Sequence, residues 1–461
     1  MDDRFSFADL ISCGGRQKAP VYPLETSSFK AFGKLCEDVK TAFYKEWENS
    51  ESSTAALELQ KKAIIGCEKE KSFFKKRIVD LAAGWGALDT AYPAWYSDLS
   101  DAVYHENWGL AGLAEWFGPR YQASSSAKII GDRVYFMDGG HMRLMPQRIE
   151  KDRLDQMIRA FLLMTPSERM DKSYYELYLL DGTRVTIYTE PMAKAGQPAM
   201  VFRRYLIPSL SFEEQAARGT IPAAAIPLFK AMVKIGFNVV FMGAVRTAKT
   251  TFLSTWQSCE DPSLEGVMVE TDPEIPLHEI MPGSPVLQLI ADGQELSDIA
   301  KNLLRSDADY FIMAEARDGI ALDTAVRLAS KGTKRMKMTY HSRDPVRFPL
   351  EAAVEIVKSC GGDIPLTMKR VAASFDYLFH FVQLADKRSK RLAGIYQMAL
   401  GEDGEIKTDR ICTYSYESDS WVFRNAIGLQ QLAYAKESDP AALRQMETVL
   451  KELSECSTLA F

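Results

Sequence analysis

Fifteen residues, FNVVFMGAVRTAKTT from Phe237 to Thr251, constrain this chain more than any others. Phe237, Val239, Val240, Phe241 and Met242 form a run with the length and composition of a buried strand. Gly243 ends the run, Ala244, Val245, Arg246 and Thr247 follow, and Ala248, Lys249, Thr250 and Thr251 lead into Phe252-Leu253-Ser254-Thr255-Trp256, which reads as the first turns of a helix. A strand, a glycine-opened loop, a Lys-Thr pair and a helix make a phosphate cradle. Backbone N–H groups and the helix dipole face the anion, the ammonium neutralises it, and a hydroxyl holds the accompanying Mg²⁺. Residues 243–251 are therefore the candidate ligand-binding loop.

The loop departs from the usual G-x-x-x-x-G-K-[ST] pattern in two places. Ala248 stands where glycine lets the backbone approach phosphate without a Cβ in the way. By analogy with other local strain that costs roughly 1–3 kcal/mol. Arg246 replaces the small residue usual in mid-loop.

A length of 461 residues predicts two to four domains with substantial cores. The net charge of −6 argues against general nucleic-acid binding. No apolar run has the length of a bilayer span, and the start, MDDRFSFADL, lacks the basic and apolar regions of a secretory signal. Seven cysteines without CxxC spacing read as reduced thiols, and with them a cytosolic chain. Five histidines (105, 141, 278, 341 and 380) show no ligand-like spacing.

Residues 1–25 read as a loose leader, and Phe29 to Asp101 as helical, with ENSESST (48–54) as a polar loop and Gly84-Trp85-Gly86 as a helix stop. After Tyr121 the pattern changes to hairpins: Lys128–Ile130 with Arg133–Met137 across Gly131-Asp132, and Tyr174–Leu180 with Arg184–Tyr188 across Asp181-Gly182. Lys151–Thr165 is an amphipathic helix, and Ala199–Tyr205 a further strand. A linker spans 206–222, containing a capping-box signal at Ser211 and Glu214. Beyond it strands and helices alternate, as in a parallel-sheet α/β domain. Val267–Glu270, Asp309–Glu315 and Lys337–His341 read as strands of that sheet. Their C-terminal ends carry Glu270 with Asp272 and Glu274, Glu315, and Thr339 with His341. In a parallel sheet such ends line one crevice. The cluster Lys331, Lys334, Arg335 and Lys337 reads as a solvated loop or, second, as a partner- or lipid-facing patch.

With these residues in place the chain resembles the secretion ATPase superfamily, the motors of type II and type IV secretion and of type IV pili, most closely the CpaF/TadA pilus-assembly branch with a degenerate Walker A. VETDPEI (269–275) resembles its Asp box, LLRSDADYFIMAEARDGIALD (303–323) its Walker B region, and TYHSRDP its His box, in which His341 matches and an earlier His is replaced near Thr333. Asp181-Gly182-x-Arg184-Val185 and Val201-Phe202-Arg203-Arg204 resemble the family's N-terminal segments, AASFDYLFHF (372–381) its tail.

The resemblance implies an α/β fold: a helical N-terminal region (1–118), a small α/β domain (119–210), and a RecA-like P-loop NTPase domain with a C-terminal helical tail (211–461). It implies Mg²⁺-dependent ATP hydrolysis in a homohexamer, with inner-membrane platform proteins of a pilus or secretion system as partners and a peripheral place at the inner face of the plasma membrane. Lys249 would neutralise the β- and γ-phosphates, Thr250 hold Mg²⁺, and Glu270 and Glu274 bind the metal or its waters. Glu315 would orient the attacking water, His341 sense the γ-phosphate, and Arg184 and Arg203 clamp charge from the N-terminal domain; Arg305 and Arg317 would support the site from within. Two other readings stand beside the motor. One is a non-hydrolysing structural or regulatory paralogue with a decayed P-loop; the other, disfavoured by charge, is a nucleic-acid translocase.

Overall fold

The computed structural model describes residues 29–48, 53–162, 174–204, 210–303, 305–306, 308–331, 334–401 and 403–458. The expected leader, residues 49–52 of the polar loop, Thr333 and the start of the linker lie outside them. The chain divides into two compact units, residues 1–206 and 207–461.

In the first unit, helices Lys30–Glu48, Ser53–Ile64, Glu68–Gly84 and Leu99–Asn107 surround an aromatic core. Apolar residues at three- and four-residue spacing put Phe32, Val39, Phe43, Phe74, Ile78 and Trp108 inside. Gly84 ends the third helix, as its sequence signal predicts. Six strands follow: β1 (Ser126–Ile130), β2 (Arg133–Asp138), β3 (His141–Arg148), β4 (Tyr174–Tyr178), β5 (Arg184–Tyr188) and β6 (Ala199–Arg203). They form one antiparallel sheet in the order β3-β2-β1-β6-β5-β4. Both hairpins read from the sequence are present, their turns carried by Gly131 (φ +61°) and Gly182 (φ +76°). Alternation points Ile129, Phe136, Ile187 and Phe202 into a core completed by Leu154, Met157 and Phe161 of helix Lys151–Leu162. Strand β3 is a finding the sequence did not announce. HMRLMPQR lies largely exposed at a sheet edge, so it carries no alternating apolar signal.

The second unit is built on a nine-stranded sheet. Its parallel part comprises β7 (Val239–Gly243), β8 (Gly266–Glu270), β9 (Val286–Ile290), β10 (Tyr310–Met313), β11 (Lys337–Tyr340) and β12 (Tyr377–Gln383). The order is β12-β7-β11-β10-β8-β9, with β13 (Lys390–Leu400), β14 (Ile406–Ser415) and β15 (Ser420–Phe423) added antiparallel beyond β12. The loop-bearing β7 lies between the last two parallel strands to be made, and β11 separates it from β10. That is the RecA-like α/β arrangement. Strand β9 also went unread in the sequence; it is an edge strand whose side chains are all partly or fully exposed.

Period-two alternation gives the sheet a core on each face. Val239 and Phe241 join Phe229, Phe252, Trp256 and Phe379 on one, while Val240 and Met242 join Val269, Phe311, Met313 and Met338 on the other. Much of the linker read from the sequence belongs to this unit instead: Phe212 and Ile221 are buried in its core. The capping box is present, with Glu214 N–H donating to Ser211 Oγ (3.1 Å) and Ser211 N–H to Glu214 Oε2 (2.7 Å).

The reading of Lys331, Lys334, Arg335 and Lys337 as a solvated or partner-facing loop needs correction. Arg335 and the fully buried Lys337 both meet the buried Glu260 carboxylate, at 2.6 and 2.9 Å. Arg335 also donates to Val233 O and Lys234 O at the end of helix Ile226–Ile235. Two of the four cations therefore neutralise an internal acid at the foot of the sheet, and Lys334 stands 5.1 Å from the Tyr434 ring centroid.

The C-terminal helices Leu429–Ser438 and Pro440–Thr458 are helical as read, but they are core and not tail: Ala435, Met446 and Leu450 are buried in the same cluster as Phe229 and Phe241. Replacing a buried leucine by alanine removes transfer energy and leaves a cavity. Leu450→Ala is expected to lower the unfolding free energy by about 2–5 kcal/mol in chemical denaturation; a loss within error would mean that this helix does not complete the core.

Candidate functional site

Because β7, β8, β10 and β11 run parallel, their C-terminal ends meet at one edge of the sheet. Each delivers one part of the site. Gly243 closes β7 with φ +149°, and a Cβ there would meet Phe381 O at 2.2 Å, so only glycine fits. The loop then turns through two left-handed residues, Arg246 (φ +65°) and Ala248 (φ +71°). Ala248 stands at the N-cap of helix Lys249–Gln257, which has no side-chain cap. Its N-terminal N–H groups and dipole thus face the loop without a protein anion. Val245 and Arg246 are exposed, Ala244 and Thr250 half-buried, and Thr247 is buried with its hydroxyl donating to Ala244 O at 2.9 Å. Thr251 lies in the first turn, its carbonyl accepting from Thr255 Oγ1.

Lys249 is 5% exposed, and its Nζ donates to Ala244 O at 3.0 Å and to His341 Nδ1 at 3.2 Å. Neither partner is a carboxylate. Burial pulls the ammonium down to about 8, partly offset by the charges of Glu315 and Glu274. An anion in the loop would reverse that shift.

His341 continues the chain of contacts. With Nδ1 accepting from Lys249, the tautomer that satisfies every group carries its proton on Nε2, which lies 2.9 Å from Glu315 Oε1. Glu315 Oε2 is 2.6 Å from Arg317 Nη2, which also lies 3.0 Å from Asp272 Oδ2. Burial alone would raise the Glu315 carboxyl, but hydrogen bonds from His341 and Arg317 outweigh it and hold the group at about 2. Lys249, His341, Glu315, Arg317 and Asp272 thus form one unbroken line across four strand ends.

Glu270 ends β8 with 3% exposure, and its Oε1 accepts from the N–H groups of Glu274 and Ile275. It therefore anchors the turn 271–275 as well as facing the site. Burial, opposed by those two N–H groups, pushes its carboxyl up to about 7. Among the described residues no three His, Cys, Asp or Glu side chains form a metal cage by themselves. The candidate donors, the Thr250 hydroxyl in the first turn of helix Lys249–Gln257 and the carboxylates of Glu270 at the end of β8 and Glu274 on the turn after it, are all hard oxygen. They fit a Mg²⁺ ion that keeps phosphate and water among its ligands.

The structure brings Lys249, Glu315 and His341 into direct contact and places Glu270 and Glu274 on the neighbouring strand end. Arg184 and Arg203 lie in the first unit, opposite each other on β5 and β6. Arg184 Nε donates to Glu176 Oε1 at 2.6 Å, and Arg203 is exposed. Arg305 is exposed beyond helix Gly293–Leu303. Asp272 was read only as one acid of three in VETDPEI; its pairing with Arg317 joins positions 45 residues apart (317 less 272), and no local pattern signals that.

No protein-family model matches this chain, and no curated protein matches it. Solved structures similar to it include the ATPase DotB of Legionella pneumophila, at 14% identity and a TM-score of 0.42, over 72% of this chain and 84% of that one. The pilus retraction motor PilT with bound ADP is similar at 10% identity and a TM-score of 0.41, over 73% and 86%. The VirB11 ATPase of the Brucella suis type IV secretion system, in complex with sulphate, is similar at 14% identity and a TM-score of 0.33, over 62% and 95%. Likeness at this level does not transfer an activity. No helix among the described residues is long and apolar enough to cross a membrane.

Two measurements probe the site without any ligand. Relief of left-handed strain at Ala248 is worth about 1–2 kcal/mol, and the freer unfolded chain of a glycine variant takes back about 0.4–1 kcal/mol. Ala248→Gly is therefore expected to raise stability by roughly 0.5–1 kcal/mol in denaturant melts; a lower midpoint would mean the loop does not hold this backbone. Glu270 in the native state keeps a proton that the unfolded chain releases, between its ordinary 4.5 and about 7. Its contribution makes stability fall as pH rises through that window. Glu270→Gln, which can accept the same two N–H bonds, should flatten that slope; an unchanged slope would assign it to another group.

Proposed function

We propose that this protein is an ATP-hydrolysing motor subunit, powering assembly of a Tad/Flp-like type IV pilus or protein secretion across the inner membrane. It would work as a homohexamer against inner-membrane platform proteins, held peripherally at the membrane's inner face. One observation carries the enzymatic part: the buried Lys249 ammonium at the head of an uncapped helix is linked through a single imidazole to the Glu315 carboxylate. In this reading the cation serves a polyphosphate and the carboxylate a water.

In this reading the loop N–H groups and Lys249 bind the triphosphate, and the phosphates replace Ala244 O and His341 as the partners of Lys249. Thr250, Glu270 and Glu274 would hold Mg²⁺, which when bound neutralises phosphate charge and polarises the phosphoryl group. Glu315, held ionised by His341 and Arg317, is a weak base; its part is to accept a hydrogen bond from the water and aim its oxygen at the γ-phosphorus. His341 stands between Lys249 and Glu315 and so senses whether Lys249 is taken up by phosphate. Domain closure on ATP would turn these contacts into motion.

A second reading, a non-hydrolysing paralogue, draws on Ala248 and Arg246. Against it, both residues adopt the left-handed backbone of a phosphate loop despite their side chains, and the acids and imidazole remain in line. The deciding experiment is phosphate release from ATP by purified protein, with and without Mg²⁺. Turnover should require the metal, and Glu315→Gln should lower it by about 10²-fold or more while ATP still binds. Undiminished turnover in Glu315→Gln removes that residue from its role; ATP binding without turnover in the wild type favours the paralogue.

A further inference from the structure

Arg317 and Asp272 carry none of the steps above, yet their geometry is specific. Arg317 follows β10 and directs one nitrogen, Nη2, at two carboxylates: Glu315 Oε2 at 2.6 Å and Asp272 Oδ2 at 3.0 Å. The Asp272 side chain, on the turn after β8, is 5% exposed, whereas that of Arg317 is 39% exposed. As a stabilising device this is a poor choice, because exposed pairs contribute little and a buried carboxylate is costly to desolvate. As a brace it has a clear use. Glu315 is gripped on Oε1 by His341 and on Oε2 by Arg317, so its carboxylate cannot turn about its last bond. Arg317, half-open to solvent, has its own orientation set by the buried Asp272. The two N–H groups of this one guanidinium nitrogen can each serve one carboxylate.

We propose that Asp272 and Arg317 are positioning residues for the water-directing carboxylate: Asp272 orients Arg317, and Arg317 fixes Glu315 for attack on the terminal phosphate, without either touching ATP. The proposal rests on the reading of Glu315 as the residue that directs water in ATP hydrolysis. A misplacement of the aiming group by about 1 Å costs on the order of 10²-fold in rate. The loss belongs in kcat, because ATP is held by the loop and Lys249 on the far side of His341.

The test uses the full chain, with ATP affinity measured by calorimetry beside steady-state hydrolysis. Asp272→Asn is expected to lower kcat by about 10- to 100-fold and to leave ATP affinity within about twofold. Arg317→Ala should lose as much, Arg317→Lys, whose one nitrogen also carries donors for both carboxylates, should lose less, and low-millimolar guanidinium should recover part of the kcat of Arg317→Ala. That recovery requires Asp272: the Asp272→Asn/Arg317→Ala double variant should be no slower than Arg317→Ala alone and should not respond to guanidinium, since the two residues act as one unit. An unchanged kcat in Asp272→Asn, a loss of ATP affinity matching the loss of rate, or equal rescue with and without Asp272 would each overturn the proposal. If Asp272→Asn does not fold, the guanidinium response of Arg317→Ala decides, and no response overturns it. Wild-type protein that never hydrolyses ATP overturns the functional reading and the brace together, whereas active wild type with an equally active Asp272→Asn overturns the brace alone.

Discussion

A buried ammonium held by a carbonyl and an imidazole organises the second unit. Lys249 is almost wholly shielded from water, and its hydrogen bonds go to a carbonyl and an imidazole. Holding a cation there is costly, and the depressed proton affinity of the group shows it. The cost falls when an anion enters the loop. The same ammonium fixes the tautomer of His341, which presents its remaining N–H to Glu315, which in turn takes Arg317 and, through it, Asp272. Each group in the line is oriented by its neighbour, so a change at the phosphate end reaches the second acid through four contacts.

The scaffold for that line is the parallel sheet. Its strands β7 and β10 are apolar on both faces and carry their chemistry only at their ends, because their side chains are committed to the two cores. The antiparallel extension and the last two helices enlarge one core and leave the strand ends clear. At the opposite end of the sheet Arg335 and Lys337 both pair with the buried Glu260. The two ends thus differ in kind: below, cations paired with an acid; above, a cation bonded to a carbonyl and an imidazole.

Strain is concentrated in the loop. Arg246 and Ala248 both hold positive φ, a conformation that side chains with a Cβ resist. Gly243 escapes that cost but has no room for a side chain. Surroundings that enforce this shape on two unsuitable residues, when glycine at Ala248 would relieve half of the strain, are consistent with a loop kept for binding.

Elements whose signal is local were legible in the sequence: the hydrophobic run of β7, the turns at Gly131 and Gly182, the capping box at Ser211, and acids or a histidine at the ends of β8, β10 and β11. Composition and pattern there follow from neighbours within a few residues. The edge strands β3 and β9 escaped because exposed strands need no alternating apolar pattern, and Arg335 and Lys337 were misread because charge in a sequence does not reveal a buried acid 75 and 77 residues earlier (335 and 337 less 260). By itself, then, the sequence determined that a glycine-opened loop between a strand and a helix, and several strand-terminal acids, exist. Only the tertiary structure decided that Lys249 leans on His341 and that Asp272 reaches Glu315 through Arg317, because which strand ends lie side by side depends on the order of strands in the sheet.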